Sequence, residues 1–201
     1  MKTIVRSCIF SAALLAAACA PQEEAPLDGA WTLDGSASRV TFTTVKNGLV
    51  AEGHGFRSLS GTVGADGAAS LTIDLASVAT NVDIRDERMR EFLFETGAYP
   101  KARVTAQLDP AAFAALKTGE SMVQPVEATL DLHGVQGEVE AELAVTRIAA
   151  GKVKVEAVAP IIIDAPLYGL DGLAKLKELA GLDSIAPQVP VSLSLTFEKA
   201  E

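Results

Sequence analysis

The chain has 201 residues, 49% of them apolar and only 5% aromatic, and a formal charge of −9 at neutral pH. No dense Lys/Arg cluster occurs, which argues against nucleic acid as a partner, because phosphate binding needs cations gathered on one face. Anionic headgroups are disfavoured for the same reason, and the two cysteines, Cys8 and Cys19, leave everything after residue 19 without a disulfide or a thiol nucleophile.

The first elements read as an address. Lys2 and Arg6 form a short positive region, and Cys8 to Ala18 is an unbroken run of apolar and small residues. That run is too short to span a bilayer as a helix and suits a secretory signal. It ends in Leu14-Leu15-Ala16-Ala17-Ala18-Cys19, small residues ahead of a cysteine, as a lipoprotein signal peptidase accepts. Residues 1–18 are therefore expected to be a signal peptide and Cys19 the site of lipidation. An ordinary signal cleaved near Ala18 or Ala20 is the alternative. With Ala20 rather than Asp after Cys19, Gram-negative sorting rules point to an outer-membrane anchor facing the periplasm. Without Lys2 and Arg6, the 17 basic residues fall to 15 against 26 acidic ones, a balance of −11.

Residues 19–29 (CAPQEEAPLDG) are polar, carry two prolines and read as a flexible tether. Residues 30–201 suffice for one domain, which at this size buries roughly two-thirds of its unfolded surface.

From Trp31 onward, alternation dominates. Val40, Phe42 and Thr44 face one way, and Arg39, Thr41 and Thr43 the other, the period-2 signature of a half-buried strand. The pattern returns over 71–75, 104–108, 128–132, 139–145, 152–158 and 189–197, and residues 49–63 hold one or two strands more. Breaks at Asn47-Gly48, Gly64 to Gly67, Gly134, Gly137 and Ala150-Gly151 separate several of them. About eight strands with short loops predict an all-β, antiparallel up-and-down meander, and closing it into a barrel removes exposed edges.

Two segments break the rhythm. Asp86 to Glu95 carries Met89, Phe92 and Leu93 at helical spacing, with Gly97 and Pro100 beyond its end. Asp171 to Ala180 carries Leu173, Leu176 and Leu179, with Gly181 as a stop. Each predicts a short helix plugging a barrel end, or a mobile lid over a mouth.

Catalytic and metal-ligating patterns are missing. His54 and His133 are the only histidines and lie in no metal-ligand spacing, and no GxSxG, P-loop or dinucleotide fingerprint occurs. His54, between Gly53 and Gly55, suits a strand or bulge, and His133 a turn before Gly134. Asp83 with Asp86 or Glu87 reads more simply as helix N-terminal charge, or as ion pairs with Arg85 or Arg88, than as an acid–base pair. No cofactor is called for.

Many inward candidates are small or β-branched: Val104, Ala106, Ala128, Ala141, Val155 and Ala157. An eight-stranded interior is just wide enough to be filled by side chains or to hold one small ligand. Small inner residues leave volume that an apolar chain would fill, gaining about 25 cal/mol per Å² removed from water. The candidate lumen-facing residues are Phe42, Leu71, Ile73, Val104, Leu130 and Leu132, with Val155, Ile161, Ile163, Leu193 and Phe197. Met89, Phe92 and Leu173 are candidates at the cavity ends, and Arg85 and Arg88 for a headgroup contact.

The stretch Leu75-Ala76-Ser77-Val78-Ala79-Thr80-Asn81, followed by Arg85-Asp86-Glu87-Arg88-Met89-Arg90, Phe92-Leu93-Phe94 and Tyr99-Pro100, resembles the YceI-like family. So do Trp31-Thr32-Leu33-Asp34 with Val40-Thr41-Phe42, and Leu130-Asp131-Leu132-His133-Gly134-Val135. The resemblance covers residues 30–199 and implies a lipocalin-like, eight-stranded antiparallel barrel. It implies a lumen that in some members holds a polyisoprenoid chain, export to the periplasm, and a loop and helix near the tunnel at Arg85 to Phe94. Four features depart from the pattern: Ala37-Ser38 where many members have His-Ser, Arg88 where a histidine is common, a spacing from Arg90 to Tyr99 about one residue shorter than in many relatives, and a longer Leu-rich segment at 170–182.

The expectation is therefore a non-enzymatic carrier or reservoir for a polyisoprenoid or other long-chain lipid, held to the membrane by its acyl anchor. The alternative is a partner-binding envelope lipoprotein with a packed, ligand-free barrel, and an enzyme is a third reading. Oligomeric state stays open, a dimer included.

Overall fold

The computed structural model describes residues 24–200. The signal peptide and Cys19 expected from the sequence lie outside the described residues.

Eight antiparallel strands form a closed barrel. They are β1 (Trp31–Leu33 and Arg39–Lys46), β2 (Val50–Phe56 and Leu59–Val63) and β3 (Ala68–Asp74 and Val78–Ala79). Then come β4 (Lys101–Gln107), β5 (Ser121–Leu132), β6 (Val135–Ala149), β7 (Lys152–Ala157 and Ile161–Asp164) and β8 (Gln188–Lys199). Each pairs with the next, and β8 returns to β1, opposing Val191 to Phe42 and Phe197 to Leu33. The closed meander leaves no bare edge along the wall.

Side chains fix where the staves bend. Asp34 caps a single 3-10 turn at Gly35–Ala37, its Oδ1 accepting from the N–H groups of Ser36 and Ala37 at 3.0 and 3.2 Å. Buried Ser38 then ties β1 to β8: its hydroxyl donates to the Asp34 carbonyl at 2.7 Å and accepts from the Thr196 N–H at 3.0 Å. The breaks in β2 and β3 are joined the same way, Ser77 Oγ accepting from the N–H groups of Arg57 and Ser58. At His133-Gly134 both residues have positive φ (55° and 78°), the two-residue turn that suits the strand twist between β5 and β6.

The core lies inside the barrel. Along β5 the residues Val126, Ala128, Leu130 and Leu132 face inward, and along β6 Val139, Ala141, Leu143 and Val145. The 15 residues of β6 run about 50 Å at roughly 3.4 Å per residue, so the enclosed space is long and narrow.

The two ends differ in construction. The proximal end gathers residues 24–30, the turns at 64–67 and 150–151, and the 108–120 connection with its short helix α1 (Pro110–Phe113). The distal end gathers the 47–49 and 133–134 turns and two long excursions, 80–100 and 165–187. The first excursion holds α2 (Asp83–Arg88), which runs on into a π-turn at Met89–Leu93. The second holds α3 (Leu173–Ala180). Both helices expected from the sequence are present, and both cover this one end.

A lumen open along its length and sealed at two ends

The barrel encloses a cavity of about 350 Å³, within the range typical of small-molecule sites. Among the described residues no charged side chain lines it, and beyond the Trp31 indole the polar side chains on its wall are those of Thr44, Ser70 and Gln124. The lining runs from Leu27, Trp31 and Phe113 at the proximal end to Leu170, Leu173 and Ile185 at the distal one. It is a tunnel, not a bowl.

Phe42, Leu71, Ile73, Val104, Leu130 and Leu132 all line this space. So do Val155, Ile161, Ile163, Leu193 and Phe197, and at the distal end Met89 and Leu173. Phe92 does not. A regular α-helix would group Met89 with Phe92 and Leu93, but the N–H of Phe94 donates to the Met89 carbonyl five residues back, at 2.9 Å. The extra residue in that turn rotates the face, so Met89, Leu93 and Phe94 are buried on the lumen while Phe92 is only half-buried. The Phe92 backbone instead abuts Gly172 at the start of α3, where no side chain would fit.

The arginines singled out from the sequence have structural partners. Arg85 reaches across to β2, its Nη1 donating to Glu52 at 2.7 Å and its Nη2 to the Thr80 carbonyl at 2.7 Å. Arg88 Nη1 donates to the Leu179 carbonyl at the end of α3, 3.2 Å away, and so couples the two helices. Asp86 is buried and accepts both the N–H and the hydroxyl of Thr80, which holds the start of α2 against the wall.

His54 belongs to the same cluster. It lies on β2 opposite Phe42, rings 5.2 Å apart, and its Nε2 shares a 2.9 Å hydrogen bond with the Thr44 hydroxyl. Burial, then the nearby Arg85 charge, pushes the imidazole below its ordinary range. A hydrogen bond from Lys46 and the charges of Arg85 and Lys46 hold the Glu52 carboxyl below its own.

At the proximal end the structure shows what alternation alone passed over. Arg147 continues the inward register of β6 after Val145, is almost wholly buried, and lies beneath the end of the tunnel. It donates to the carbonyls of Leu116 (2.9 Å), Ala25 (2.8 Å) and Ala150 (3.2 Å) and lies 3.5 Å from the Glu24 carboxylate. Glu24 in turn accepts from the Thr118 N–H, and Asp28 from Lys199. Residues 24–29, expected as free tether, are thus docked as a strap, with Leu27 buried on the cavity. An apolar side chain over an apolar mouth and carbonyls over a buried cation explain the difference. The signal in the sequence was the arginine on an inward register.

Among the described residues, no group of three or more His, Cys, Asp or Glu is placed to hold a metal ion. The arrangement can enclose an elongated apolar guest.

The fold and the site together define a closed, antiparallel eight-stranded barrel around an uncharged axial tunnel. The chain belongs to the YceI-like domain family, whose model matches residues 31–197. A solved structure of a polyisoprenoid binding domain from Saccharophagus degradans, implicated in plant cell wall breakdown, is 43% identical. It superposes with a TM-score of 0.83 over 85% of this chain and 98% of that one. Burkholderia cenocepacia BcnA shares the fold at 18% identity and a TM-score of 0.63, covering 82% of this chain and 98% of its own. The Campylobacter jejuni YceI protein does so at 17% and 0.52, covering 74% and 85%. No curated protein sequence matches the chain significantly.

Proposed function

We propose that this protein binds one long apolar chain of the polyisoprenoid class in its lumen and acts as a carrier or reservoir. The single observation that carries the reading is the charge-free tunnel running between the two ends of the barrel. The 43% identity to a domain described as polyisoprenoid-binding supports the ligand class. Burying such a chain releases about 25 cal/mol per Å² of apolar surface, and the lumen wall presents no group for acid–base or nucleophilic work on it. We read the role as non-catalytic, and the uncharged wall supports that reading.

The signal-like residues 1–18 and Cys19 support a periplasmic lipoprotein. The five chain steps from Cys19 to Glu24 span at most about 18 Å, so an anchor there would hold the proximal end near the bilayer and turn the distal end to the aqueous space.

Gentle purification of residues 20–201 from the periplasm, native mass spectrometry and organic extraction test the ligand. A stoichiometric apolar passenger of discrete mass is expected. Protein that is empty and takes up neither isoprenoids nor fatty acids would leave the packed-barrel reading in its place.

A further inference from the structure

The inward positions of β5 are apolar with one exception. Val126, Ala128, Leu130 and Leu132 line the lumen in alternating register, and so does Gln124, the first residue of that strand on the wall counted from the proximal end. It lies opposite Leu143 of β6, which lines the lumen too. Two other polar side chains on the wall already have partners. The Thr44 hydroxyl is shared with His54 at 2.9 Å, and that of Ser70 with Thr62 at 3.1 Å. The Gln124 amide is neither hydrogen-bonded to any described residue nor sealed inside the protein. Trp31 lines the same end, and its indole N–H is likewise without a partner among the described residues.

An amide that faces an apolar space unpaired is destabilising, whereas Leu or Met at the same place would fill that space without the penalty. Gln124 is thus explained by what it meets in the lumen. A carboxamide donates through its NH₂ and accepts through its carbonyl, so a hydroxyl or a carbonyl oxygen satisfies it and a hydrocarbon does not. A phosphate is poorly matched. Among the described residues no charged side chain lines the lumen, and the buried cation at this end, Arg147, is bonded beneath the tunnel to three carbonyls with Glu24 beside it. A phosphate here would be buried with no free counter-charge.

We propose that Gln124 is the polar anchor of the lumen, its amide bonding the uncharged terminal oxygen, hydroxyl or carbonyl, of an isoprenoid. The hydrocarbon runs from there toward the distal end. This rests on the lumen-binding reading above and specifies its ligand.

The test compares geranylgeraniol, geranylgeranylacetone, geranylgeranyl phosphate and the parent hydrocarbon without oxygen. Binding to the full mature protein and to its Gln124→Leu variant is measured by competition with a labelled chain, and side-chain amides are followed by ¹⁵N NMR. Five glutamines are present, and the signal lost in Gln124→Leu identifies the one in the lumen. The alcohol, the ketone or both are expected to bind about five- to tenfold tighter than the hydrocarbon, the gain of roughly one net hydrogen bond, and tighter than the phosphate. A preference for one of the two names the oxygen. Gln124→Leu should abolish that preference while binding the hydrocarbon at least as well. The preferred ligand should move the Gln124 amide protons downfield, as a new hydrogen bond does, and the hydrocarbon should not. Equal binding of all three uncharged chains with unmoved amide protons overturns the anchor and leaves the lumen reading intact. So does tighter binding of the phosphate, or a preference that survives Gln124→Leu. If none of the four binds the wild type, the lumen reading itself falls. Backbone correlations assign the Gln124 amide, and so decide the question, even where Gln124→Leu does not fold.

Discussion

The two ends of the barrel differ in what lies over the lumen. At the proximal end, a guanidinium buried beneath the tunnel draws three carbonyls and a carboxylate onto itself, and Leu27 is pressed over the mouth as a consequence. At the distal end, the contacts over the lumen are apolar: Met89, Leu93 and Phe94 from the π-turn, with Leu170 and Leu173 from the second excursion. Moving the strap aside would strand a buried cation. The distal helices have polar ties of their own, Asp86 to Thr80, Arg85 to Glu52 and Arg88 to the Leu179 carbonyl, but their contacts on the lumen itself are side chains that an arriving apolar chain can cover again. A closure held by directional bonds to a charge resists opening, and one held by non-directional packing can exchange one apolar partner for another. The distal end is therefore the expected route for a ligand.

The largest effect should come from removing the proximal closure. Arg147→Leu leaves the carbonyls of Ala25, Leu116 and Ala150 without their donor, and is expected to cost about 3–5 kcal/mol, as breaking buried charged networks does. Urea unfolding would read the loss, and hydrogen exchange should quicken over residues 24–30. A stable variant with unchanged exchange would mean that the strap is held by Leu27 alone. A smaller effect belongs to the distal end. Leu93→Ala should cost about 2–4 kcal/mol, and it should also speed ligand release, followed by competition with a labelled chain. If Arg147→Leu speeds release more than Leu93→Ala does, the roles of the two ends are reversed.

The difference between the ends also governs what could be read beforehand. Alternation is a local property of each strand, so β1 to β8 and the inward register of Phe42, Val104, Leu130 and Phe197 were legible, and closure followed from short loops. Phe92 was misplaced because a π-turn and an α-helix are written in the same residues. The extra residue is set by packing against Gly172, which lies some 80 positions away. The strap was missed for a related reason: residues 24–29 look like linker by composition, and what docks them is an arginine on another strand. Thr44 and His54 are neighbours only because of the β1–β2 register, which no local spacing encodes.

Between the ends, the wall itself offers a sharper test of whether the tunnel is open. Ala128 lines the cavity, opposite Ala106 on one side and Val139 on the other, both also lining it. In a packed core Ala128→Phe would cost about 1–3 kcal/mol by overpacking. In an open lumen the ring enters free space, so the change in stability should stay under about 1 kcal/mol while uptake of a long chain is lost, whichever end the chain approaches from. Destabilisation of the full amount, with no ligand affinity to lose, would return the barrel to a packed core.

The smallest effect is in pH, and it sharpens the distal half of the comparison. His54 is held neutral by burial and by Arg85, so its folded pKa lies below the unfolded value of about 6.5. The unfolded chain then binds the extra proton first. Stability contributed by the neutral imidazole is complete above that unfolded value, falls as pH drops through it, and levels off below the folded pKa. The Glu52 carboxyl is shifted down, so its contribution has the same sign but fades only in the lower, carboxylate range. Urea midpoints from about pH 8 downward should therefore show an upper decline that His54→Phe removes and a lower one that it leaves. The proximal closure depends on an arginine that stays charged throughout, so hydrogen exchange should report the upper decline near residues 44–54 and 80–94 and not in the strap. An upper decline that survives His54→Phe would assign it to another group and leave the two ends equally indifferent to pH in that range.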